Sequence, residues 1–148
     1  MNKKPLYDNL KNSIVLAEMA GYSNASFCIK NGAGSSLAIL GTYIIDPSEK
    51  IPYPEEFYFK SDKNAYYDYL EKNINIIKKT KIKVGVSAVS IDIKDTIIFL
   101  KTAQELGADY LSYCAHSVMK MFLDKNTSSA LCLKKNHEKL KRILYDLT

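Results

Sequence analysis

Arginine is almost absent from this chain. Arg142 stands alone among 21 basic residues, and the rest are lysines. Arginine is the side chain that grips phosphates and guanines with two parallel hydrogen bonds, so its scarcity argues against a DNA-reading protein. Cysteine is scarce too. Cys28, Cys114 and Cys132 are an odd number at no metal-ligand spacing. That pattern excludes a disulfide framework and points to reduced thiols in a cytoplasmic protein. No apolar run approaches the roughly 18 residues of a membrane span. The opening MNKKPLYDNLKN places no apolar stretch behind Lys3 and Lys4, so no signal peptide is expected. Internal repeats, low-complexity tracts and a clear interdomain linker are missing as well.

What is present suits one domain over residues 1–148, with 47% hydrophobic and 25% charged residues. A chain of this size buries roughly 70% of its unfolded surface. It is shorter than the roughly 200 residues of a closed eight-stranded barrel. The charge is uneven. Residues 1–70 hold seven lysines against eight carboxylates, a net −1, and residues 71–148 hold fourteen basic against eight acidic residues, a net +6. A basic half admits RNA as a partner, although lysine is also a default solvent-facing residue.

Four apolar, β-rich runs recur: SIVLA at 13–17, SSLAILGTYII at 35–45, IKVGVSAVS at 82–90 and ADYLSYCA at 108–115. They are nearly continuous rather than alternating, as in parallel strands covered on both faces. Helical patterns separate them. Ser23 can cap a short helix over 24–30 that stops at Asn31-Gly32. Over 64–79, Tyr67, Leu70, Ile74 and Ile77 share one face. Asp92 can cap a helix that turns Ile97, Leu100 and Leu106 inward and stops at Gly107. The last helix covers about 137–147, with Asn136 as cap. It turns Leu140, Ile143, Leu144 and Leu147 inward and Lys139, Lys141 and Arg142 outward. Segment 46–63, with three prolines and Tyr53, Phe57, Tyr58 and Phe59, reads as a loop covering one sheet edge; a substrate lid is the alternative. The order β-α-β-α-β-α-β-α requires a parallel sheet with right-handed crossovers. Either an open four-stranded α/β layer or half of a (βα)8 barrel satisfies it.

The motifs and their order resemble one family. LAEMAGYSNASF, 16–27, resembles the first-strand motif Ala-Pro-Met-Ala-Gly, followed by Thr/Ser, Asp/Asn and Phe, of the tRNA-dihydrouridine synthases. GAGSSLAILGTYIID, 32–46, looks like that family's second strand, and IKVGVSAVSIDIKD, 82–95, like its third, usually Val-Gly-Val-Gln/Asn. GADYLSYCAHSVMKM, 107–121, is similar to the fourth, and SALCLKKNHEKLKRIL, 129–144, to the helix that follows. Ala115-His116 fits the archaeal dihydrouridine-synthase-like subgroup. The resemblance spans roughly residues 12–147. It implies an α/β fold of four parallel βα units, equivalent to the first half of a TIM barrel. It also implies FMN across the carboxyl ends of the strands, hydride transfer to a uracil ring, and tRNA as the substrate.

The resemblance assigns the flavin-facing backbone to Ala17, Met19 and Ala20, and the flavin's pyrimidine contact to Ser87, where the family carries an amide. Ser112 stands where the family has a carboxylate and Cys114 where it has asparagine. Ser117 takes the position of the catalytic cysteine that protonates the uracil, beside His116. Glu18 replaces the family's proline. A carboxylate at the edge of a reduced flavin is unfavourable, so Glu18 either turns away or marks loss of the flavin. His116 is an acid, a base or a uracil-binding group, or else a polar rim residue. Cys114 is a thiol near the flavin or a small core residue. Ser117 and His116 are not a hydrolase pair, since sequence neighbours seldom face each other. Asp109 is expected to orient the turn before the fourth strand. His137 is expected at the surface, and NGAG at 31–34 reads as a turn. The family's later strands, with its flavin-phosphate turns, have no counterpart in these residues. A half barrel leaves two unpaired strand edges, so self-association or a second half-barrel chain is expected, with no membrane and no DNA partner.

Overall fold

The computed structural model describes residues 10–147. The chain is an α/β fold around one parallel sheet. In chain order the elements are β1 (Ile14–Leu16), α1 (Ala25–Asn31), β2 (Ser35–Ile45), β3 (Tyr58–Phe59), α2 (Tyr67–Lys78), β4 (Lys83–Ser90), α3 (Ile93–Glu105), β5 (Tyr110–Tyr113), α4 (Lys120–Leu123) and α5 (His137–Leu147). Short 3-10 turns occupy Glu55–Phe57, Lys63–Ala65, Ser128–Cys132 and Lys134–Asn136. The spatial order is β1-β2-β4-β5, and every pairing is parallel.

β2 and β4 form the spine because their sequences are apolar on both faces, and both are buried almost end to end. β4 runs along one edge of β2, from Leu37↔Lys83 to Ile45↔Ser90. The other edge is shared. β1 takes its amino half and β3 its carboxyl end. Between them Gly41 N–H donates to Ser23 O at 3.0 Å. The β2–β4 register slips between Leu40 and Tyr43, so β2 carries one extra residue there. Gly41 adopts φ +104 at that slip, and a Cβ on it would collide with the Ser87 carbonyl oxygen. Only glycine suits both demands.

Helices α1, α2 and α3 cover one face. Cys28, Leu70, Ile74, Ile77, Phe99, Leu100 and Ala103 pack there on Ala38, Leu40, Tyr43, Val84, Val86 and Ala88. An aromatic group fills the carboxyl end of this layer. The Phe99 ring lies 5.5 Å from Tyr43 and 4.6 Å from Tyr66, and the Tyr43 ring lies 5.7 Å from Phe57. On the opposite face a second cluster forms only at the carboxyl end, from Ile44, Ile51, Val89, Cys114, Met121 and Phe122. Segment 46–63 does cover a sheet edge, and it adds a short strand, β3, that the sequence pattern did not announce.

Local signals explain most boundaries. Asp92 caps α3, its side chain accepting from Lys94 N–H at 3.0 Å. Gly107 adopts φ +95 after the helix ends. Asp109 Oδ2 accepts from Val84 N–H at 3.0 Å and so ties the turn before β5 to β4. Asn24, not Ser23, caps α1, accepting from Phe27 N–H at 2.9 Å. The Ser23 hydroxyl instead accepts from Met19 N–H at 2.8 Å. In α5 Ile143 is buried, but Leu144 is 51% exposed rather than inward, because α5 turns a narrower stripe toward α3. Lys139, Lys141, Arg142 and His137 are exposed.

Burial pushes the Cys28 thiol from its ordinary 9.0 to about 11. The folded chain keeps that proton where the unfolded chain has lost it. Its contribution is fully present below pH 9 and is lost as pH rises toward 11. Urea unfolding across this window is expected to show stability falling with pH, and falling less steeply in Cys28→Ala. Parallel declines in the two proteins would show that the thiol is not the cause.

A candidate binding pocket at the carboxyl ends of the strands

Ligands of open parallel sheets sit beyond the carboxyl ends of the strands, and this chain carries a pocket of about 200 Å³ there. Ile44 of β2 and Val89 of β4 supply an apolar floor, while Ala20 from the turn after β1 and Thr42 from the slip in β2 form one side. The other side is the chain leaving β5: Cys114, His116, Ser117, Val118 and Met119. Tyr53 closes it from the segment that follows β2. The pocket is an apolar slot with hydroxyl, thiol and imidazole groups along its wall. Among the described residues no lysine or arginine lines it.

Beside the Thr42 side of the pocket, Glu18 turns inward toward β4. Its Oε1 accepts from Ser87 Oγ at 3.1 Å, and Ser87 Oγ lies 3.2 Å from Thr42 Oγ1. Ser87 is fully buried. The contact joins the chain just past β1 to interior positions of β2 and β4. It is possible because the chain leaves the ladder after Leu16 and meets β2 again only at Ser23, so residues 17–22 are free of strand pairing.

Of the residues the sequence singled out, Ala20, Cys114, His116 and Ser117 meet in the pocket. Ala17 and Met19 are exposed and do not line it, and Ser87 lies beneath the mouth. Cys114 is 3% exposed, and its Sγ lies 3.5 Å from His116 Nδ1 and 3.6 Å from Nε2. Its backbone is fixed at both ends. Cys114 N–H donates to Ala88 O at 3.0 Å, and Cys114 O accepts from Ser128 Oγ at 2.8 Å. Among the described residues no group of three His, Cys, Asp or Glu side chains is arranged to hold a metal ion. No described helix is long and apolar enough to cross a membrane.

Sequence reasoning did not reach Ser128. This fully buried serine sits at φ +48. Its N–H donates to Tyr113 Oη at 3.0 Å, and its Oγ accepts from Ser117 N–H at 2.9 Å. Ser129 Oγ adds a bond to Ser117 O at 2.7 Å. The pocket wall is therefore held from behind by the 3-10 turn. Burial pushes the Tyr113 phenol up to about 12, so it remains neutral there. Nothing in the run NTSSALC distinguishes this serine from its neighbours. Tyr53 had a signal, the aromatic content of segment 46–63, but not a position.

Comparison with protein-family models, curated proteins and solved structures finds no match to this chain.

Ser128→Ala is expected to cost about 1–3 kcal/mol, because it leaves the Cys114 carbonyl and Ser117 amide without their buried partner. Hydrogen exchange at Ser117 should speed up more than exchange in β2. A loss below about 0.5 kcal/mol, within the range of a plain surface change, would mean the turn does not hold the wall.

Proposed function

We propose that this chain is a ligand-binding α/β domain of the dihydrouridine-synthase type, equivalent to the first four βα units of that barrel. On its own it binds one planar heterocyclic ring and does not carry out flavin-dependent reduction of uridine. The Glu18–Ser87 contact carries this reading. The resemblance puts the flavin's pyrimidine edge at Ser87, whose hydroxyl is buried and donated to Glu18. Three further observations support it. The pocket's 200 Å³ lies below the roughly 300–1,000 Å³ of ordinary small-molecule sites and suits a single ring better than a flavin nucleotide. Among the described residues its wall has no lysine or arginine for a phosphate. Ser117 offers a hydroxyl where the resemblance expects a thiol, and a hydroxyl is a far weaker acid than a thiol of pKa about 8.5.

Purified protein is expected to be colourless, to take up no FMN on titration, and to leave tRNA uridine unreduced with a nicotinamide donor. Calorimetry should detect a single-ring heterocycle such as uracil. A flavin spectrum, or uridine reduction by this chain alone, overturns the proposal.

One observation favours a second reading, an enzyme completed by a partner. Among the described residues β1 and β5 each pair on one side only, and Ile14 and Val15 of β1 are 70% and 41% exposed. Two parallel edges of this kind can receive a second copy or another half barrel. Sedimentation at micromolar concentration should then show a dimer. A compact, stable monomer that takes up no FMN with any candidate half barrel removes this reading.

A further inference from the structure

We infer that Thr42 presents a hydrogen-bond acceptor to the pocket, and that the pocket therefore selects a planar ring bearing an N–H donor. The inference rests on the ring-binding reading above and names the chemical class of its ligand. Side chains two apart on a strand share a face. Thr42 thus shares a face with Ile44, and Ser87 with Val89, the two residues of the pocket floor. Thr42 is 3% exposed and lines the pocket.

A chain of hydroxyls fixes which way the hydrogens point. A hydroxyl has one hydrogen and two lone pairs, and a carboxylate only accepts. Ser87 gives its hydrogen to Glu18 Oε1 at 3.1 Å. The 3.2 Å contact between Ser87 Oγ and Thr42 Oγ1 is then filled by the hydrogen of Thr42. The Thr42 oxygen keeps its lone pairs and has nothing left to donate. No other described group bonds to it. A buried oxygen with an unfilled acceptor side favours a ligand that donates. Hydrogen bonds in a chain polarise one another, so donation toward the Glu18 carboxylate through Ser87 makes the Thr42 oxygen a stronger acceptor. Glu18 is half-buried at the outer end of this chain. It is a positioning residue, because it reaches the ligand only through the two hydroxyls.

The opposite wall has no such constraint. The Ser117 hydroxyl and the His116 ring can each donate or accept, so they suit either kind of ring edge. Discrimination falls to Thr42.

The probes are 2-pyridone and 2-pyranone. Both are planar single rings of nearly the same shape, and the ring N–H of the first is an oxygen atom in the second. Each is titrated into the full chain and followed by NMR shifts of the protein. The wild-type chain is expected to bind 2-pyridone about tenfold or more tightly than 2-pyranone. Thr42→Val keeps the shape and removes the hydroxyl, and should abolish the preference while 2-pyranone still binds. Thr42→Ser should retain it. In Glu18→Gln the new amide can donate to Ser87, which frees the Ser87 hydrogen for Thr42 and the Thr42 hydrogen for the pocket. The preference should then shrink or reverse, a result that a purely structural role of Glu18 does not produce. If Thr42→Val does not fold, Glu18→Gln and Thr42→Ser carry the test. Equal binding of the two probes by the wild-type chain overturns the inference alone, as does a preference that survives Thr42→Val or Glu18→Gln. Binding of neither probe overturns the ring-binding reading and this inference with it.

Discussion

The parallel ladder between β2 and β4 is buried on both faces, and every other element takes its place from it. One edge of β2 is wholly used by β4. The other must serve β1 and β3 in turn, with a single hydrogen bond from Gly41 to Ser23 between them. β1 is therefore only three residues long. The chain released at Leu16 is free of strand pairing until Ser23, and that run carries Glu18 to Ser87. The extra residue in β2 brings Thr42 to the same place.

Parts of this arrangement are legible in the sequence because they are local. The run SSLAILGTYII has the continuous apolar character of a doubly covered strand, and β2 occupies it from end to end. Asp92 and Gly107 bracket α3 through caps that depend on a few neighbouring residues. Asp109 orients its turn, and the aromatic segment 46–63 packs along an edge. The slip at the start of α1 is also local. Ser23 and Asn24 are equally good caps by type, and Ser23 is drawn off by the Met19 amide.

The rest rests on distant partners. Glu18 has a direction only once β4 lies beside β2, and its bond to Ser87 spans 69 residues. β3 is two residues long, and the free carboxyl end of β2 makes it a strand. Ser128 is set by the return of the chain under β5. The pocket was half legible. Cys114, His116 and Ser117 come from one strand end and could be placed from it. Ile44, Thr42, Tyr53 and Val89 come from other elements and needed the fold. Chemically, the polar groups of the wall stand on two sides of an apolar floor, Thr42 on one and Cys114, His116 and Ser117 on the other.

A contact that closes a loop of 69 residues carries a larger ordering entropy than the turns within each strand–helix unit, and non-local pairings of this kind slow folding. A compound that binds the folded pocket and not the unfolded chain adds by mass action to the stability of the fold. For such a compound, occupancy of the pocket and survival of the fold are a single equilibrium.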